Sequence, residues 1–452
     1  MHEHLSDTEL ARFATDPESV PAERRQVIER EAAECAICRT SLDFFSVVTA
    51  EEMADLEQPD GESTWTSDDD AMRGYIERIT AEDSEADELL ADEKLLESPT
   101  KTAWKNLQRD KRLLTGGVVR RFVASANSVH LHEPLDALTF ADAAISIAEA
   151  LPDREYPWNA VFELRGAAWK ERANALLVLG EYPSALEALT HAERAYQHLR
   201  SPGFGLSTVA LVRASVFYEQ GRLDEAAESA EKAEHGFAHI GQEERRMRAV
   251  FLRASISYEA GDVSSAVLLF QEVLEYGEAA NSARWMARAL YALGNCEVER
   301  GNLSEASMLF HKALVIFREL GPEWDRLATE WGLARVVLHG GNREDAVQRL
   351  RHVAAGYERR GMVSDGALVW LDIVEALVAS GQAKQVVEIA TRLFRIFKDA
   401  GMMTGALTAL AYLKEAAVAG RLTSAGVGAV RTYLRRAGRQ PELVFARPEA
   451  WR

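Results

Sequence analysis

No apolar run in these 452 residues approaches the roughly 18 that a membrane-spanning helix requires. The opening stretch MHEHLSDTEL is polar and acidic, where a secretory leader would be basic and then apolar. Cysteine is scarce, with three residues in all, which excludes a disulfide framework and fits a reducing compartment. The expectation is a cytoplasmic protein without a membrane partner. Proline is also scarce, at 12, while Ala, Leu, Glu and Arg abound, so nearly all of the chain is expected to be helical. GxxxxGK[ST], GxSxG and HExxH are absent, as is a GxGxxG following a strand, so no phosphate cradle, nucleophile elbow or zincin helix argues for an enzyme.

Positive charge is missing from one region in particular. The first hundred residues hold 28 Asp and Glu against 8 Lys and Arg, a net of −20, which leaves +1 for the remaining 352. Such a segment is repelled by a phosphate backbone and attracted to a basic protein surface, so direct nucleic-acid binding is not expected of it.

What is present, from residue 158 onward, is a repeat. A glycine followed by a small residue five places on recurs as GEYPSA (Gly180), GRLDEA (Gly221), GDVSSA (Gly261), GNLSEA (Gly301), GNREDA (Gly341), GQAKQV (Gly381, with Val386 in the small-residue place) and GRLTSA (Gly420), at intervals of 39 to 41 residues. A helix of about four turns ending at a glycine able to take the left-handed cap, then a second helix, makes a helical hairpin. Seven residues before the glycine stand Ala173, Ala214, Ala254, Gly294 and Ala334; five after it stand Ala185, Ala226, Ala266, Ala306 and Ala346. These are the places where closely crossing helices leave no room for a side chain. Larger apolar residues follow one turn later, as Leu189, Phe270, Phe310 and Leu350.

This order, clearest in ALYALGNCEVERGNLSEASMLFHKAL (289–314), resembles the tetratricopeptide repeat, with Trp169 and Trp370 at the family's early tryptophan. The period near 40 exceeds the usual 34, and the closing proline is mostly missing, as in the longer-helixed tetratricopeptide domains of bacterial transcription regulators. HEAT repeats share the period but not this Gly and Ala grammar. The resemblance implies an all-α, right-handed superhelix that binds a protein or peptide. An irregular eighth hairpin is expected ahead of the array, with its turn at Glu133-Pro134 and Ala137 in the small-residue place. The expected divisions are a three-helix head at 1–50, an acidic linker with short, loosely packed helices at 51–115, the array at 116–437 and a basic tail at 438–452.

The head carries Cys35 and Cys38 as a CxxC pair, which read on residues alone is a metal knuckle, a redox pair or packing. Ser6 to Glu9 forms a capping box and Pro21 opens a second helix, so three small helices with little core need a staple. HLSDTEL (4–10) with ExxxCxxC (31–38) resembles the zinc-binding anti-sigma family. By that resemblance His4, Cys35 and Cys38 are ligands of one structural zinc, and the partner is an RNA-polymerase sigma factor. Glu31 stands where the family has histidine; zinc accepts a carboxylate oxygen, and a residue four places before Cys35 shares its helical face. His2 is a spare ligand. The alternative is a metal-free, degenerate head on a peptide-sensing scaffold.

Within the array, Arg172, Arg213 and Arg253 share a register eight residues before consecutive turn glycines. They form either a ladder for an acidic peptide or a set of ion pairs with nearby Glu. Asn174 and Asn295, two residues further on, are candidates for bonding an extended peptide backbone. His130, His132, Glu133 and Asp136 read as a solvated turn, and Cys296 as a small buried thiol.

Overall fold

The computed structural model describes residues 81–90, 110–152, 156–320, 323–399 and 404–437, with single positions between 13 and 30, at 79 and between 445 and 451. His4, Glu31, Cys35 and Cys38 lie outside the described residues, as does nearly all of the 1–50 head. All regular structure described is helical, and no helix is long and apolar enough to cross a membrane. From residue 116 onward, sixteen α-helices among the described residues follow one another through short turns: α1 Gly116–Val129, α2 Pro134–Ala150, α3 Trp158–Val178, α4 Tyr182–Gln197, α5 Gly203–Glu219, α6 Leu223–His239, α7 Glu243–Glu259, α8 Val263–Ala279, α9 Ala283–Glu299, α10 Leu303–Leu320, α11 Glu323–His339, α12 Arg343–Glu358, α13 Val363–Ala379, α14 Ala383–Asp399, α15 Thr404–Val418 and α16 Ser424–Ala437. Taken in pairs they are eight helix–turn–helix units. The fold is all-α and tetratricopeptide-like.

The chain divides into two compact units, one of Met1–Leu179 with Glu187–Gly205, the other of Gly180–Leu186 with Leu206–Arg452. In the first, residues 81–90 form a helix that was expected to pack loosely and instead is seated on α1. Ala86 and Leu90 are buried with Phe122 in one core. The acidic character of the segment is what docks it: Asp83 and Asp87 each lie 2.8 Å from a guanidinium, Arg120 and Arg121 respectively. Glu82 accepts from the Gly117 N–H at the start of α1 and from the Tyr156 hydroxyl, which in turn accepts from the Gly116 N–H. A carboxylate at a helix N-terminus satisfies donors that have no partner within the helix.

The second unit repeats one turn design. Gly221, Gly261, Gly301, Gly341, Gly381 and Gly420 all have positive φ, between 66° and 90°. At Gly261 the N–H donates to Tyr258 O and the next N–H, of Asp262, donates to Ser257 O, closing α7 with a Schellman motif. The turns between hairpins use the same device, at Gly241, Gly361 and, in α8 to α9, at Asn281 with φ 48°. A left-handed residue therefore stands every twenty positions from Gly221 to Gly301 and again from Gly341 to Gly381, twice as often as the forty-residue spacing alone reveals. Asn is the L-residue that best tolerates this conformation.

Packing follows the small residues. Ala254, Ala334, Ala266, Ala306 and Ala346 are fully buried. Phe310 of α10 occupies a slot between α9 and α11: a Cβ on Gly294 would lie 2.7 Å from its ring, and one on Gly332 2.6 Å. Both neighbours must lack a side chain for the ring to enter, and burying such a ring contributes about 1.5–3 kcal/mol. At the other end Trp451 is fully buried against Gly426 of α16, and Phe445 packs 5.1 Å from the Tyr433 ring. These tail residues cover the last hairpin's apolar face, the task of a capping element.

Candidate functional site

In the second unit, the residues six places before each turn glycine fall on one face of the first helix of each hairpin: Ser255 in α7, Asn295 in α9, Arg335 in α11 and Glu375 in α13. Ser255 and Asn295 each donate one bond back to a carbonyl four residues earlier, of Phe251 and Tyr291. From Asn295 onward the side chains link across helices. Arg335 donates to Glu299 Oε1 at 3.0 Å and to Asn295 Oδ1 at 3.4 Å, and Tyr258 Oη donates to the same Glu299 oxygen. Trp331 Nε1 donates to Asp372 Oδ2 at 2.6 Å, and Arg431 of α16 lies 2.9 Å from Asp372 and 2.5 Å from Glu375.

Glu299, Arg335, Asp372, Glu375 and Arg431 of this set line a cleft of about 640 Å³ formed by α9, α11, α13 and α16, together with His339 and Arg343. That size is in the range of small-ligand pockets, roughly 300–1,000 Å³. Burial opposes the charge on Arg335, but the neighbouring Asp372, Tyr258 and Glu299 outweigh it and hold the guanidinium above its ordinary pKa. Asp372 is itself buried, so its two donors are what make its charge tolerable there. Arg431 Nε is buried with no partner, a donor left open beside the cleft. The cleft is thus lined by both donors and acceptors, the two kinds of group to which an extended backbone bonds.

The residues singled out in the sequence distribute differently. Asn295 belongs to this network. Arg253 pairs with Glu234 of α6, and Arg172, in the first unit, lies 2.8 Å from Asp142 with its guanidinium over the Trp169 ring. Asn174 donates to Glu171 Oε2 at 2.9 Å, and Arg213 is half-buried on α5. His130 and His132 lie at the α1–α2 turn, where the His130 ring bonds Asn127 O. No group of three His, Cys, Asp or Glu able to hold a metal occurs among the described residues. Cys296 is buried, and burial pushes its thiol up to about 12. Trp331, Arg335, Asp372, Glu375 and Arg431 were not singled out, although Arg335 and Glu375 continue the register of Asn174 and Asn295 at forty-residue steps.

The tetratricopeptide repeat family model matches residues 285–359, which are α9 to α12. Among solved structures, the chain is similar to a Rap protein complexed with Competence and Sporulation Factor, at 13% identity over 71% of this chain and 87% of that one, with a TM-score of 0.55. It is also similar to aspartyl phosphate phosphatase F from Bacillus subtilis, at 14% identity over 88% and 96% of the two chains, with a TM-score of 0.51. At these identities the likeness is one of fold. No curated protein sequence matches the chain.

Proposed function

We propose that this chain is a cytoplasmic regulatory protein that acts by protein–protein interaction, its tetratricopeptide-like array receiving a protein or peptide in the cleft between α9, α11, α13 and α16. The observation that carries this is the set of Asn295, Glu299, Arg335, Asp372 and Glu375 on the first helices of successive hairpins, joined by Arg431 of α16, which places donors and acceptors side by side. The Rap protein of similar fold was solved in complex with Competence and Sporulation Factor, which agrees with this reading.

The test is selection of peptides from a random library on the full chain, followed by titration of the recovered peptides against Arg335→Ala and Glu375→Ala. Binding weakened tenfold or more in either variant supports the cleft as the receptor. Recovery of no peptide above background, or equal binding by both variants, refutes it.

The finer proposal concerns the head. HLSDTEL and the CxxC pair support an anti-sigma-like module in which His4, Cys35, Cys38 and Glu31 hold one zinc and the acidic surface covers a basic partner such as a sigma factor. Stoichiometric zinc in purified protein, lost in both Cys35→Ser and Glu31→Ala, is the expected result. A zinc-free protein whose partner binding survives deletion of 1–50 favours the second reading, a peptide-sensing scaffold with a metal-free head. The observation on its side is Glu31 at the histidine position.

A further inference from the structure

The first helices carry a second charged feature, toward the opposite end from the cleft network. On α9, Arg284, Arg288, Asn295 and Glu299 follow at steps of 4, 7 and 4 and share one face, so the stripe is cationic near its start and acidic near its end. The neighbouring Arg246, Arg253, Arg300, Arg326, Arg335 and Arg431 are all ion-paired. Arg284 and Arg288 make no ion pair or hydrogen bond with any described residue. Arg288 is half-buried all the same, its guanidinium 4.8 Å from the Phe251 ring centroid on α7 and 5.6 Å from that of Trp285.

An unpaired cation taken partly out of water is costly, and stacking on aromatic faces offsets only about 0.5–2 kcal/mol of that cost. Burial, and then repulsion from Arg284, lower the pKa of Arg288. The carboxylate facing the pair is Asp325 at the start of α11, whose own pKa is raised by burial against the pull of Arg288 and Arg284. Arg248 of α7 adds a third positive charge, itself 3.5 Å from the exposed Glu244. Trp324, next to Asp325, leaves about half of its surface exposed. The N–H groups of two guanidinium forks one turn apart on α9 are thus unbonded among the described residues, and the half-exposed Trp324 adjoins the carboxylate that faces them.

We infer that Arg284 and Arg288 are a receptor for a carboxylate side chain of an acidic peptide, bound by the two guanidinium forks while Trp324 covers its apolar neighbours. The inference rests on the proposed peptide-binding function and adds the chemical class of the ligand. Bidentate guanidinium–carboxylate bonding supplies the specificity. Long-range attraction does not imitate it, because residues 101–452 carry a net charge of only +1 and the first hundred carry −20.

The test uses the full chain and two labelled octapeptides, one of alternating Glu and Leu and one of alternating Gln and Leu, titrated by fluorescence anisotropy in 50 mM salt. The Glu peptide is expected to bind at least tenfold more tightly than its Gln counterpart, and Arg284→Gln with Arg288→Gln should abolish the difference. Arg288→Lys keeps the charge and the aromatic stacking but loses the fork, and should retain only part of the preference. Circular dichroism confirms that the variants remain folded, and Arg222→Gln, at an exposed arginine paired with Glu225 at the start of α6, should leave the preference intact. Equal binding of the two peptides overturns this inference while leaving peptide binding in place. A Glu preference that survives the double variant overturns it too, as does failure of both peptides to bind; the broader function then stands or falls with library selection.

Discussion

Replacing Asp372 by Ala tests whether the cleft is held by a buried charge network or merely decorated by it. Asp372 is 5% exposed, and its two oxygens accept from Trp331 Nε1 and Arg431. Its removal leaves a partly buried indole N–H without an acceptor, worth about 1–3 kcal/mol. It also strips one partner from Arg431, a change that costs roughly 3–5 kcal/mol when the remaining charge is fully buried. Arg431 keeps Glu375 at 2.5 Å and its side chain is 19% exposed, so about 2 kcal/mol applies to it, below the fully buried range, with about 1 kcal/mol for the half-buried indole. The expected total is about 3 kcal/mol. Because the charge left behind causes most of the loss, Asp372→Leu combined with Arg431→Met should recover the greater part of it. Hydrogen exchange followed by mass spectrometry reads the effect locally, with amides of α13 and α16 exchanging roughly a hundredfold faster in Asp372→Ala if they open together. Exchange within a factor of three of the parent, or a double variant as labile as the sum of its single changes, would refute the reasoning.

Three further outcomes follow from the packing. Gly301→Ala should cost about 1–2 kcal/mol, because φ is 78° and a Cβ there meets nothing within 4 Å, so the cost is backbone strain alone; Asn281→Gly should change urea stability in the opposite direction. Gly332→Ala should destabilise through its clash with Phe310 by about 1–3 kcal/mol, less the roughly 1 kcal/mol that alanine contributes to a helix, and Phe310→Leu in the same chain should shrink the Gly332→Ala penalty in a double-mutant cycle. Cys296, with its thiol held up to about 12, should resist iodoacetamide at pH 8 in the folded chain and react once the chain is unfolded; labelling at equal rates in both states would contradict its burial.

The architecture was legible because its determinants are local and repeat. A glycine at each left-handed turn and an alanine at each close crossing are demanded by backbone geometry, whatever the hairpin binds, so Gly261 and Gly301, or Ala266 and Ala306, recur as the same residue type. The site obeys the same forty-residue register but not the same identity. Six places before the glycine the sequence reads Asn174, Ser215, Ser255, Asn295, Arg335 and Glu375. Following like residues finds the two asparagines and passes over the arginine and glutamate that complete the cleft. The Arg172, Arg213 and Arg253 ladder was legible as a register, but its partners were not: Asp142 and Glu234 come from helices whose facing residues no spacing within one helix reveals.

That contrast bears on how a repeat array acquires a ligand. Each hairpin supplies one side chain at the shared register, so neighbouring hairpins write successive positions of a surface whose scaffold does not change. Swapping Asn295 for Arg or Arg335 for Asn alters the charge order along the face without touching Gly294, Phe310 or Gly332, which fix the spacing between the helices. The two kinds of arginine on this face then differ in consequence. Arg335 and Arg431 are already bonded to carboxylates, so a ligand must compete with those bonds or use the lone pairs and N–H groups they leave over. Arg284 and Arg288 have no such bonds to break. A carboxylate arriving there breaks no ion pair and shares the two guanidinium groups only with Asp325, which is why the unpaired end of the stripe, not the paired cleft, is expected to set the sign of charge the array prefers.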